Sequence, residues 1–178
     1  MTLGEFQQSP TDKVRQPGAE TFGQSLLGFE SGGEYWLVDL ANAGEVLPVP
    51  AITDVPLTKP WFCGIANIRG TLYSVTDLAA FHGHGATPIR MQSRLLLVGG
   101  RSGTSLGSNL ALLMSATLGL KALATLEVIS APAGSASEKP WRGDCYRDSE
   151  GRTWTLLLLP VLLGASEFLD IAESAHGT

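Results

Sequence analysis

Charge is what this chain has least of. Only 16% of its 178 residues are Asp, Glu, Lys or Arg, where an average domain carries about 25%. Basic side chains number 12 against 17 acidic ones, a net charge of -5. A nucleic-acid binder neutralises phosphates with clustered Lys and Arg, so that class is excluded. Nor is there a polybasic segment to meet an anionic membrane surface. Cysteine is nearly missing too. Cys63 and Cys145 are too few for a disulfide framework, and two independent buried thiols are expected rather than one bridge. Long apolar runs are also lacking. Leu110 to Leu120 and Leu156 to Ala165 are the longest, both short of the roughly 20 residues a spanning helix needs, and Pro160 interrupts the second. The N-terminal stretch is polar and does not read as a secretory signal. A cytoplasmic protein with no direct membrane insertion is therefore expected.

What the chain does have is 44% hydrophobic residues, 21 Gly and 10 Pro. That composition builds a sizeable core out of many short elements and turns. With so few charges, part of the surface must be uncharged, which points to protein partners.

Met1 to Thr21 mixes Gln, Pro, Thr and charge without apolar periodicity and reads as a flexible tail. Two apolar runs, from Ser25 to Phe29 and from Glu34 to Leu40, flank Ser31-Gly32-Gly33 and predict a hairpin. Pro48, Pro50, Pro56 and Pro60 bar a helix and confine the next stretch to a surface path or a sheet edge. Trp61 to Ala66 is apolar and runs into the turn-like Asn67-Ile68-Arg69-Gly70. Thr71 to Thr76 alternates as a strand, with Tyr73 and Val75 on one face. Asp77 then caps a short helix, Leu78 to Phe81, stopped by Gly83 and Gly85. Further strands are predicted over Ser93 to Val98, Asn109 to Met114, Trp141 to Arg147 and Arg152 to Leu158. The last two flank the turn Asp148-Ser149-Glu150-Gly151. Leu118 to Ile129 fits either a strand or a helix, and Ser166 to Ala172 predicts a short capped helix. Gly70 to Leu78 is echoed by Arg152 to Pro160, each a strand running into a short helix, as two similar small barrels would require. The fold class is mainly β.

Chemistry-bearing constellations are weak. His82-Gly83-His84 sits in a Gly-rich turn and His176 near the C-terminus, which reads as solvated loop histidines rather than zinc ligands. Neither cysteine stands in a nucleophile motif, and Cys63 lies inside an apolar run. The stretch Gly99 to Gly107 lacks the Gly-Lys-Ser/Thr ending of a phosphate loop and reads as a mobile hairpin loop. An enzyme or metal-dependent thiol protein pairing Cys63 or Cys145 with His82 or His84 is the rival reading; a generic SH3-like peptide-binding module is another. Arg69 stands out, because a planar guanidinium at a turn pairs with a carboxylate or caps carbonyls. An ordinary surface arginine would fit the same residues.

Gly64-Ile65-Ala66-Asn67-Ile68-Arg69-Gly70, followed by a strand ending Asp77-Leu78, resembles the signature segment of CheW-like domains. The resemblance runs from about Leu26 to Ala172. Pro60-Trp61-Phe62, Trp141-Arg142-Gly143 and the hairpin from Asp148 to Trp154 are closer to the branch that serves type IV pilus (twitching motility) systems. It implies two five-stranded SH3-like β-barrels on a shared apolar interface, with tails at residues 1–21 and 173–178 around a domain at 22–172. It also implies a non-catalytic adaptor, without cofactor or metal, that joins a chemoreceptor's cytoplasmic tip to a CheA-type histidine kinase in signal transduction. Glu45, Asn67, Arg69 and Gly70 carry over as partner-binding residues, with Glu45 and Arg69 expected as an ion pair in apolar surroundings. Met114 to Thr117 and Leu159-Pro160 depart from the family pattern in the second barrel.

Overall fold

A computed structural model describes residues 25–98, 109–131 and 139–173. The N-terminal tail, the Gly-rich stretch at 99–107 and His176 lie outside the described residues.

The chain opens with β1 (Ser25–Ser31) and β2 (Glu34–Asp39), the expected hairpin, with both turn glycines at positive φ. After Gly44 come β3 (Val46–Pro48), β4 (Ile52–Thr53), β5 (Phe62–Ile68), β6 (Thr71–Asp77) and α1 (Leu78–Phe81). Then follow β7 (Arg94–Val98), β8 (Leu110–Met114), β9 (Ala116–Ala122), a 3-10 turn (Leu123–Thr125) and β10 (Glu127–Ile129). The chain ends in β11 (Arg142–Arg147), β12 (Thr153–Leu157), α2 (Leu159–Gly164) and α3 (Ser166–Leu169). The ambiguous stretch from Leu118 to Ile129 is therefore two strands joined by a turn.

These strands form two sheets, β3-β7-β8-β6-β5-β4 and β10-β11-β12-β2-β1-β9. In each, the two edges are consecutive pieces of chain. Six flat strands would put the edges about 24 Å apart, yet Pro48 and Ile52 are joined by a link that spans at most about 14 Å, and Ala122 and Glu127 by one of about 18 Å. Each sheet must curl into a barrel. The expected count of five strands per barrel holds when the broken edge strand is counted once: Pro50 splits β3 from β4, and the 3-10 turn splits β9 from β10.

The internal echo extends to the whole topology. The central barrel runs edge, edge, hairpin, short helix, hairpin (β3 to β8). The terminal barrel runs the same course from β9 to α2, then borrows its last hairpin, β1–β2, from the start of the chain. Accordingly β6 lies parallel to β8, and β12 parallel to β2.

Alternation along the strands explains three cores. Leu95, Leu97, Ala111 and Leu113 point into the central barrel with Ala66, Ile68 and Val75. Leu26, Leu37, Tyr146 and Trp154 fill the terminal barrel. The intervening residues (Leu27, Phe29, Trp36, Val38, Leu96, Leu112 and Met114 among them) meet in the largest cluster, the shared apolar seam between barrels. Strands buried on both faces must be apolar throughout, which is why β7 and β8 read as continuous runs. Burying each large side chain there stabilises the fold by about 1.5–3 kcal/mol.

One expectation about the helices changes. α3 has Ala165 at its N-cap and no side-chain cap, because Ser166 already lies inside the helix. α2 likewise has no capping side chain; Pro160 sits in its first turn, where a missing N–H costs nothing.

Candidate partner-binding site

The signature segment is one β-hairpin, and most of its residues serve the fold. Gly64 sits at a bulge with φ +123°, where a Cβ would collide with the Thr53 carbonyl oxygen on β4. Asp77 is buried. Its Oδ1 accepts from the N–H groups of Ala79 (3.0 Å) and Ala80 (3.3 Å) and from Thr87 Oγ1 (2.7 Å); its Oδ2 accepts from Thr87 N–H (2.6 Å). One carboxylate thus caps α1 and anchors the loop leading to β7.

The hairpin turn is Arg69-Gly70 alone, since Asn67 and Ile68 still pair within the strand. Both turn residues have positive φ, 53° and 83°, as a mirror-image type I turn demands. Gly70 suits that region. Arg69 does not, and a non-glycine residue there costs about 1–2 kcal/mol. Asn67 braces the turn, its Oδ1 accepting from Gly70 N–H at 2.9 Å.

From this strained position Arg69 reaches Glu45 with both arms of its fork, Nη1 to Oε2 at 2.7 Å and Nη2 to Oε1 at 2.6 Å. Glu45 is itself held at the head of β3, where its carbonyl accepts from Leu97 N–H. The pair therefore ties the hairpin tip to an edge that is not its neighbour in the sheet. Hydrogen bonding from Arg69 holds the Glu45 carboxyl below its ordinary range. The expected apolar surroundings are absent: the side chains are 73% and 44% exposed. In water such a pair adds little stability. Of the four carried-over residues, Glu45 and Arg69 present chemistry outward, while Asn67 and Gly70 build the turn that presents it. Leu72, beside them on β6, is 61% exposed.

The terminal barrel repeats the bracing with different residues. At the β11–β12 turn, Asp148 Oδ1 accepts from Glu150 and Arg152 N–H, and its Oδ2 from Trp154 Nε1 at 2.9 Å. No matching exposed ion pair with a positive-φ arginine occurs there among the described residues.

His82 departs most from expectation. It is not solvated: its ring stacks on Trp36 (centroids 4.9 Å apart, 13° between planes) and its Nε2 accepts from Trp141 Nε1 at 2.9 Å. Burial pushes its pKa down to about 4, and the nearby Arg142 guanidinium adds to the shift. His84 remains exposed, 3.3 Å from Glu34. Both cysteines are free. Burial, foremost, pushes the Cys63 thiol up to about 11, the reverse of what an activated nucleophile needs.

The chain belongs to the CheW-like domain family, whose pattern matches residues 25–167. Among particular relatives, it is 40% identical over 74 residues to Protein PilI of Pseudomonas aeruginosa, a match spanning 42% of this chain and 42% of that protein. The fold also matches the crystal structure of the scaffolding protein TtCheW from Thermoanaerobacter tengcongensis. There the TM-score is 0.62 at 20% identity, over 76% of this chain and 89% of that one. Among the described residues, no helix is long and apolar enough to cross a membrane.

Proposed function

We propose that this chain is a non-catalytic cytoplasmic adaptor that couples the cytoplasmic tip of a chemoreceptor to a CheA-type histidine kinase, in a two-component system controlling type IV pilus twitching motility. Membership of the CheW-like family supports the adaptor role, and the partial likeness to PilI supports the pilus branch. The observation that carries the reading is the exposed Glu45–Arg69 pair. An arginine held at a strained positive φ, with its fork paired to a carboxylate in the open at a hairpin tip, presents charged groups suited to contact outside the chain. Glu45, Asn67, Arg69 and Gly70 form the receptor-facing site, two by contact and two by shaping the turn.

The protein works by geometry. A densely packed β body holds a receptor surface and a kinase surface at fixed separation, so displacement at one is felt at the other. Arg69→Ala is expected to remain folded and to lose receptor coupling. A pull-down with receptor tips that captures the folded variant as well as the wild type would overturn this assignment.

A further inference from the structure

Two barrels joined by an apolar seam transmit geometry only if the angle between them is fixed. Aliphatic packing resists separation, but it is not directional and tolerates repacking. Directional contacts across the seam are therefore the ones to look for, and they form two groups. One is a backbone bridge at Thr58 and Ala172, with Lys59 N–H to the Ile171 carbonyl, Glu173 N–H to the Leu57 carbonyl and a Lys59–Asp170 ion pair. The other, made of side chains alone, gathers around the C-cap of α1. Phe81 and His82 project from the central barrel into an aromatic file. Phe81 meets Trp61 and Phe168 on one side (5.2 and 5.1 Å between centroids) and Trp141 on the other (5.3 Å). His82 stacks on Trp36 of β2 and accepts the hydrogen bond of Trp141, both residues of the terminal barrel. Around the rim, Glu34 receives both arms of Arg142 (3.2 and 2.9 Å), whose guanidinium lies 4.4 Å from the Trp36 ring centre. Glu34 also faces His84 across the seam.

The indole N–H only donates, so the bond from Trp141 exists only while Nε2 of His82 is unprotonated. We infer that neutral His82 is the positioning residue on the α1 side of the inter-barrel joint, locking α1 of the central barrel to Trp36 and Trp141 of the terminal barrel, and that protonation releases this side of the joint. Every charged neighbour of the imidazole bears on this. Arg142 opposes an imidazolium, Glu34 favours it, and His84 opposes it. Lys139, over the Trp141 ring and paired with Glu167, stands behind the donor. The joint deepens the adaptor reading and rests on it for its purpose, though not for its geometry.

The test uses the full chain and three variants: His82→Phe, which keeps a stacking ring without an acceptor; His82→Gln, which restores an acceptor oxygen; and Trp141→Phe, which removes the donor. Residual dipolar couplings report barrel orientation directly. One alignment tensor is expected to fit both barrels in the wild type and in His82→Gln, and two different tensors in His82→Phe and Trp141→Phe. In reconstituted assemblies the Phe variants are expected to bind kinase and receptor tip as the wild type does, while receptor-controlled kinase stimulation falls about five-fold, the factor corresponding to one lost hydrogen bond. A common tensor and full stimulation in either folded Phe variant would overturn the inference, as would equal divergence in His82→Gln. If the wild type binds neither partner, the adaptor reading fails while the tensor comparison still decides the joint.

Discussion

Acidification from pH 7 to pH 5 should weaken the folded state by about 2 kcal/mol through His82 alone. Its pKa falls from an ordinary 6.5 to about 4 on folding, because burial against Trp36 and Trp141 disfavours the imidazolium and Arg142 adds repulsion. A depressed histidine pKa means that the unfolded chain takes up the proton first. The contribution is therefore complete above about pH 6.5 and is lost as the pH falls toward 4. At pH 5 the unfolded imidazole is almost fully charged and the native one almost neutral, which corresponds to about 2 kcal/mol, or a fall in Tm of about 4–8 °C for a body of this size. Thermal melts at pH 7, 6 and 5 at constant ionic strength, on the wild type, His82→Gln and the control His84→Gln, measure it. The His82 variant should lose most of the slope between pH 7 and 5, and the His84 variant should keep it. Parallel curves for wild type and His82→Gln would show that His82 does not carry the slope.

Gly64→Ala should fail to fold or lose at least about 3 kcal/mol in urea titration, since its Cβ would collide with the Thr53 carbonyl at a backbone angle closed to alanine. Asp77→Ala should cost about 3 kcal/mol by the same assay, because four donors, two of them on Thr87, lose a buried acceptor. Arg69→Asn should match or exceed the wild type in unfolding free energy by up to about 1 kcal/mol in urea titration, asparagine being at ease at positive φ, while receptor capture falls.

Much of the fold is legible in the sequence wherever one strand face is buried and turns carry Gly or Asp. The β1–β2, β5–β6 and β11–β12 hairpins, the Asp77 cap and the strand nature of β7 and β8 all follow from local patterning. β9 does not, because its residues are partly or fully exposed on both faces and Gly119, at φ +80°, breaks the alternation. α3 misled because a serine at a helix start usually caps, whereas here the first turn begins one residue earlier. Of the candidate site, the Arg69-Gly70 turn is visible as a motif and the Glu45 pairing follows from family resemblance. That the pair stands in water is decided by where the β5–β6 turn and the head of β3 lie in the fold, which the flanking residues do not show. The burial of His82 is equally illegible locally. Its Gly-rich flanks read as solvent, and the two tryptophans that bury it come from strands distant in sequence.

Whether one rigid body holds two partners can be read from co-purification of the wild-type chain with a CheA-type kinase and a receptor-tip fragment. A ternary complex is expected for the wild type, from which Arg69→Glu loses the receptor and keeps the kinase. A chain that captures no kinase, or an Arg69→Glu variant that still captures both partners, would contradict it.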